Sequence, residues 1–264
     1  MDCSATVILN EKNNVAYLSL NRPAACNALN QTLIQELNRH LKSLAENSNI
    51  RLVVLQAEGN HFCSGADLKE MALAKNLSYE QKLAEAQHLS EMLQRLYQLP
   101  QPTIACIQGQ VRGGGLGLIA CVDITLAANN AQFSFSETKL GLIPAIISPY
   151  VVSAIGARAA IAQMFSGEVF EAKEAHRLGL IHKLFPEPEL AISRDNLIAT
   201  LLKNGPIALK EMKALAKTLR QQVTPALQES LIEKLAELQS SPEAKEGILA
   251  FLEKRQPSWA YHVS

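Results

Sequence analysis

Gly113-Gly114-Gly115-Leu116-Gly117 stands between an apolar segment, Thr103 to Ile107, that reads as a buried strand and a run, Leu116 to Cys121, that reads as a buried helix. Three bare residues at a helix start present N–H groups that have no acceptor inside the helix, and that end of a helix favours negative charge. Glycine also allows a ligand to approach the backbone closely. A carbonyl oxygen that gains charge during a reaction is the kind of group such amides stabilise. Tight helix–strand packing is the competing use of the same glycines. A dinucleotide fingerprint, G-x-G-x-x-G, fails because its last position falls on Leu118, and no G-x-x-x-x-G-K-[ST] occurs.

A second loop of small residues, His61-Phe62-Cys63-Ser64-Gly65-Ala66-Asp67, follows the apolar strand Leu52 to Leu55. A helix start at Asp67 makes the Ala66 N–H another candidate donor. Two amides from two loops would then clamp one oxygen. Ser64 lacks the G-x-S-x-G context of a serine nucleophile.

Those loops need elements to hold them. Thr6 to Leu9 and Val15 to Leu20 read as strands, with Glu11 to Asn14 as their turn. Asn21-Arg22-Pro23 ends the second strand. Asn30 caps a helix whose Leu33, Ile34, Leu37, Leu41 and Leu44 follow helical spacing. Ser78 caps a long amphipathic helix stopped by Pro100 and Pro102. Ile124 to Ala127, Gln132 to Phe135 and Leu180 to Leu184 suit further strands. The charge-free stretch Leu140 to Ala157 contains Pro144, Pro149, Gly141 and Gly156, so it reads as a buried loop and helix start rather than a membrane span. From Glu189 onward only helices are expected, broken at Gly205-Pro206, Thr224-Pro225 and Ser241-Pro242. Mixed strands and helices followed by helices alone indicate an α/β core with a helical C-terminal part.

The chain has 264 residues, 48% apolar and 19% charged, with zero formal net charge. A chain of that length buries a full core without staples. Its charge balance argues against nucleic acid as a partner. Cys3, Cys26, Cys63, Cys106 and Cys121 are odd in number and dispersed, which fits reduced thiols in a cytosolic-type compartment rather than disulfides or zinc. The opening residues have no basic segment followed by an apolar run, so no secretory leader is expected.

Four segments in order resemble the crotonase, or enoyl-CoA hydratase/isomerase, superfamily. They are Asn21-Arg22-Pro23 with Asn27-Ala28-Leu29, Phe62 to Leu68, Gly109 to Gly115 with Cys121-Val122-Asp123, and Phe135 to Pro144. The resemblance implies a spiral of β-β-α turns over residues 1–188. Residues 189–264 would be helices that mediate homotrimers, often paired into hexamers. It implies oxyanion-hole amides at Ala66 and Gly114 and a catalytic carboxyl at Glu137. It places Ala24, Ala28, Ser64, Gly65, Asp67 and Leu68 along the coenzyme A path, and Gly113, Gly117 and Pro144 beside the substrate. Phe251 and Lys254 resemble residues that reach a coenzyme A in such assemblies. No cofactor is expected beyond the coenzyme A of the substrate, and neither a metal nor a membrane.

One departure matters. Hydratases of this superfamily carry a second glutamate where this chain has Gly117. With Glu137 alone, three activities remain open: hydration of an enoyl-CoA, migration of a double bond as in Δ3,Δ2-enoyl-CoA isomerases, and acyl-CoA binding without catalysis. Gly113 to Leu118 with Ile143 to Val152 resembles bacterial methylglutaconyl-CoA and isohexenylglutaconyl-CoA hydratases of branched-chain and terpenoid breakdown. A branched enoyl thioester with a distal carboxylate is then the implied substrate. Arg112 would pair with that carboxylate or, alternatively, face solvent or another subunit. Lys210, Lys213, Lys217 and Arg220 form a basic stripe that suits a solvated helix face or coenzyme A phosphates. His61, His88, His176 and His182 lack metal-ligand spacing; His61 suits an exposed loop. Trp259 and Tyr261 are expected to pack on a neighbouring element.

Overall fold

The computed structural model describes residues 5–73, 77–218, 235 and 241–260. Strands β1 (Val7–Lys12) and β2 (Val15–Leu20) form the expected antiparallel hairpin. Its turn is shorter than expected, because β1 runs on to Lys12 and only Asn13 and Asn14 turn, at φ 52° and 62°. Two left-handed residues match the twist of a two-residue hairpin, and asparagine tolerates that conformation. Helix α1 (Gln31–Glu46) starts at Asn30, whose side chain accepts from the Leu33 N–H at 3.0 Å. Leu33, Ile34, Leu37, Leu41 and Leu44 are all buried. Each such side chain contributes about 1.5–3 kcal/mol relative to exposure.

Strand β3 (Leu52–Ala57) is followed by α2 (Leu68–Leu73) and by α3 (Tyr79–Gln98). Ser78 and Gln81 form a capping box at the start of α3. The chain then alternates between two sheets. Strand β4 (Thr103–Ile107) enters the large sheet, β5 (Gln110–Arg112) the small one, and α4 (Gly114–Cys121) completes the turn. Strand β6 (Ile124–Ala128) returns to the large sheet and β7 (Gln132–Ser134) to the small one. After α5 (Ser148–Ile155) and α6 (Ala157–Ser166) come β8 (Phe170–Glu171), α7 (Ala172–Arg177) and β9 (Lys183–Phe185). The large sheet runs β1-β2-β3-β4-β6-β9, parallel from β2 onward, and the small sheet runs β5-β7-β8. Parallel strands buried on both faces read as unbroken apolar runs, which is why Leu52 to Leu55 and Thr103 to Ile107 were legible. The β-β-α spiral implied by the resemblance is present.

Two expectations need correction here. The strand placed at Leu180 to Leu184 begins only at Lys183, because Leu180 and His182 are held by Thr125 instead. Its hydroxyl donates to the Leu180 carbonyl at 2.8 Å, and its carbonyl accepts from the His182 N–H at 3.0 Å. The loop after Glu137 is not buried throughout: Leu140, Leu142 and Ile143 are exposed, whereas Pro144 and Ile147 are buried.

Two compact units emerge, residues 1–99 with 103–194, and residues 100–102 with 195–264. The division falls inside α8 (Leu190–Leu202). In the second unit α9 (Pro206–Thr218) has its first amides capped by Glu243, on α10 (Pro242–Leu252), which accepts from Ile207 and Ala208. Lys213 is buried and donates to the Gln101 carbonyl at 2.9 Å, so it leaves the expected basic stripe. Trp259 packs against Gly247 and donates to the Lys203 carbonyl. Cys3, Arg220, the Thr224-Pro225 break and Tyr261 lie outside the described residues, as do the side chains of Lys217 and Phe251. Among the described residues no helix is long and apolar enough to cross a membrane.

Candidate active site

The small sheet delivers three loops to one place. Cys63 bridges Val111 in parallel, and β5 pairs β7 in parallel with Arg112 opposite Ser134. Three chain segments therefore leave the same edge of the sheet, and ligand sites form where parallel strands end. The first exit carries Ala66, the second Gly114 and the third Glu137. All three line one cavity of about 480 Å³, within the usual size for a small-molecule site.

At the first exit Gly65 has φ +89°, and an added Cβ would lie 3.1 Å from the Arg112 carbonyl oxygen. Only a bare residue brings the loop that close to β5. Leu29 then clamps the loop: its N–H donates to Gly65 O at 2.7 Å, and its carbonyl accepts from the Asp67 N–H at 2.9 Å. In this parallel bridge Leu29 bonds the neighbours of Ala66, so the Ala66 N–H points away from it. Asp67 caps α2, accepting from Lys69 and Glu70, and pairs with Arg22 at 2.9 Å. That guanidinium holds the Asp67 carboxyl below its ordinary pKa. Asn27, fully buried at φ 54°, fastens the preceding turn by donating to the Glu58 and His61 carbonyls.

At the second exit Gly113 has φ +43° and donates to Ser134 O at 3.1 Å. Gly114 is the first residue of α4, so its N–H has no intrahelical acceptor. At the third exit Phe133 and Phe135 are buried against Phe170, which anchors β7 just before Glu137. The Glu137 carboxyl lies over Gly113, where an added Cβ would meet Oε1 at 2.9 Å. Its Oε2 is buried and has no hydrogen-bond partner. Desolvation pushes the carboxyl pKa above its ordinary value, because burial disfavours the charged form.

The remaining expected residues divide. Asp67 and Pro144 line the cavity with Ala66, Gly114 and Glu137. Ala24, Ala28, Ser64, Gly65, Leu68, Gly113 and Gly117 do not. Ala24 and Leu68 are exposed, while Ala28 is buried. The Ser64 hydroxyl donates to the Ala25 carbonyl at 3.4 Å. Gly117 is sealed: an added Cβ would come within 2.3 Å of Ile147 Cγ2 and 3.4 Å of Leu93 Cδ1. Ile147 takes its place on the cavity wall. Arg112 is half-buried, lies off the cavity lining and keeps a buried Nη1 without a partner. His61 is not a free loop residue, since its Nδ1 accepts from the Gln110 N–H. Burial pushes the Cys63 thiol up to about 12, which keeps it protonated. Among the described residues no cluster of His, Cys, Asp and Glu is placed to hold a metal ion.

Sequence reasoning missed Leu29, Ile34, Leu89 and Ile147 on the wall. A signal existed for the first two. An apolar residue just before a helix cap, paired with one four residues after it, marks a hydrophobic staple, and Leu29 and Ile34 flank Asn30 in that way. Ile147 lay in the segment Ile143 to Val152 that carries the subfamily resemblance, with no local signal that set it on the wall.

An α/β spiral of this topology, with Ala66, Gly114 and Glu137 on a single cavity, is the crotonase fold. The chain belongs to the enoyl-CoA hydratase/isomerase family, whose model matches residues 10–262. It is 32% identical over 259 residues to the 2,3-dehydroadipyl-CoA hydratase of Escherichia coli, covering 96% of this chain and 98% of that protein. An enoyl-CoA hydratase structure from Shewanella pealeana superposes with a TM-score of 0.92 at 36% identity, covering 96% of both chains. Pseudomonas aeruginosa AtuE gives 0.93 at 33% identity, covering 97% of this chain and all of that one.

Proposed function

We propose that this protein hydrates an α,β-unsaturated acyl-CoA with Glu137 as its only proton-transfer group. The observation that carries this reading is the partnerless, buried Glu137 Oε2 on the same cavity as Ala66 and Gly114. The thioester oxygen accepts from those two amides. Glu137 removes a proton from water, the water oxygen bonds to Cβ, and the double-bond electrons move onto the thioester oxygen as an enolate. Glu137 then returns its proton to Cα, so one carboxyl serves both steps. Coenzyme A runs past Ala24, Ala28, Ser64 and Leu68, and no further cofactor takes part. Lys82 is the one cation on the lining among the described residues, beside Asp67, Glu70 and Glu85. That balance favours an uncharged acyl tail over one that ends in a carboxylate. A homotrimer or hexamer is the assembly expected of such a chain.

Double-bond migration is the second reading, favoured by Ile147. Its side chain puts an apolar group over Gly117, where a second acid would otherwise hold water. The test is incubation with crotonyl-CoA, 3-methylglutaconyl-CoA and a 3-enoyl-CoA, followed by mass. A gain of one water on crotonyl-CoA supports hydration. An isobaric conjugated product from the 3-enoyl-CoA supports migration. Coenzyme A binding without turnover of any substrate overturns both.

A further inference from the structure

Leu29 touches both donor loops. Its backbone bonds the residues on either side of Ala66, at 2.7 and 2.9 Å. Its side chain presses on Gly114, where an added Cβ would lie 2.7 Å from Cδ1 and 3.9 Å from Cγ. It is 5% exposed and lines the cavity. Asn30, the next residue, caps a 16-residue helix held in the core by Leu33, Leu37, Leu41 and Leu44. Leu29 is thus a spacer mounted on a rigid element, with one donor loop fixed to its main chain and the other resting on its side chain.

We propose that Leu29 is a positioning residue that sets the gap between the Ala66 and Gly114 amides, and through it the polarisation of the bound thioester carbonyl. The proposal rests on the acyl-CoA reading of the site. A two-donor hole works only when both N–H groups reach the same oxygen, and a displacement of about 1 Å costs roughly 10²-fold in rate. Nothing else about the Leu29 side chain suits it to chemistry, because it carries no polar atom. The backbone bonds to Gly65 and Asp67 survive any substitution that keeps the main chain in place. Trimming the side chain therefore releases Gly114 and leaves the Ala66 loop tethered. Gly114 has no positive φ, and Leu29 Cδ1 is the nearest atom that a methyl group there would meet.

The experiment compares Leu29→Ala, Leu29→Val, Leu29→Met, Gly114→Ala and the double variant Gly114→Ala/Leu29→Ala. Three quantities are read: kcat, KM, and the carbonyl stretch of bound butyryl-CoA carrying ¹³C at the thioester carbon. Leu29→Ala is expected to lower kcat by roughly 10–10²-fold with KM little changed, since binding energy resides mostly in the coenzyme. The bound carbonyl stretch should move back towards its value in free butyryl-CoA. Leu29→Met, which keeps length and volume, should restore both readings. Gly114→Ala should be impaired and the double variant should recover part of the loss. If Leu29→Ala does not fold, Leu29→Val removes the same δ carbons and carries the same readings. An unaltered carbonyl stretch in the trimmed variants overturns the proposal, as does a double variant no better than Gly114→Ala. Glu137→Gln separates the two readings: it should lower turnover by about 10²–10⁴-fold and keep the carbonyl shift. An active Glu137→Gln would remove the acid–base reading and leave the role of Leu29 standing. No carbonyl shift in the parent protein would remove both.

Discussion

Gly114 and Gly117 stand three residues apart on α4, close enough to share a helix face. Their surroundings are opposite. Gly114 opens onto the cavity, with Leu29 at its side. Gly117 is covered by Ile147 and Leu93 with no room for a methyl group. In the first turn the missing side chain leaves the Gly114 backbone on the cavity lining beside Leu29. In the second it admits a neighbouring side chain, and that neighbour becomes the wall. One residue type in one short helix therefore serves an open cavity wall and a packed contact at once.

The contrast can be sharpened first through Glu137, which faces the first turn. Glu137→Gln should lower turnover by about 10²–10⁴-fold, as expected for the loss of a general acid–base group. Because burial raises the Glu137 pKa, the acid limb of the parent's rate profile should lie above the ordinary glutamate range, and the variant should lack it. The sign for stability runs the other way. A raised carboxyl pKa means that the neutral form is favoured in the fold, so the group's stabilisation is present below its unfolded pKa and lost as pH rises through the folded value. At neutral pH Glu137→Gln should therefore melt higher than the parent. A variant that melts lower would place the carboxyl in a supporting role.

The second turn is tested by Gly117→Ala. A helix-interior glycine exchanged for alanine normally gains about 0.5–1 kcal/mol. Here the methyl would come within 2.3 Å of Ile147 Cγ2, and overpacking of that kind costs about 1–3 kcal/mol, so the loss should win. Urea midpoints check the direction. Pairing the change with Ile147→Ala should give a combined loss smaller than the sum of the two, and simple additivity would show that Ile147 does not seal the position.

The smallest effect belongs to the loop that carries Ala66. Its Arg22–Asp67 pair is partly exposed, so Asp67→Asn should cost less than about 1 kcal/mol. Since the folded Asp67 pKa is depressed, its contribution is complete above the unfolded value and is lost as pH falls through the folded one. The variant and the parent should converge in stability on acidification. A gap that persists into acid would show that the loss does not come from the Asp67 charge.

Much of this was legible beforehand. Asn30 and Ser78 announced their helices because their side chains satisfy amides a few residues away. The buried parallel strands stood out as apolar runs. Gly113 to Gly115 and the Ala66 loop were visible as segments, since helix starts and turns depend on adjacent residues, and Glu137 was marked by the family resemblance. The short strands β5 and β8, the exposure of Leu142 and Ile143, and the covering of Gly117 were not visible. Each depends on what another part of the chain brings alongside.

The same boundary runs through the site. Local residue order by itself determined the two bare loops and the helix caps, because these follow from neighbours along the chain, whereas Glu137 was marked only by the family resemblance. Tertiary structure alone decided that Ile147 fills the space beside Gly117, that Leu29 reaches both the Ala66 loop and Gly114, and that one Glu137 oxygen is buried without a partner. Those facts arise where distant segments meet, and close packing at such meetings leaves no trace in the spacing of either segment.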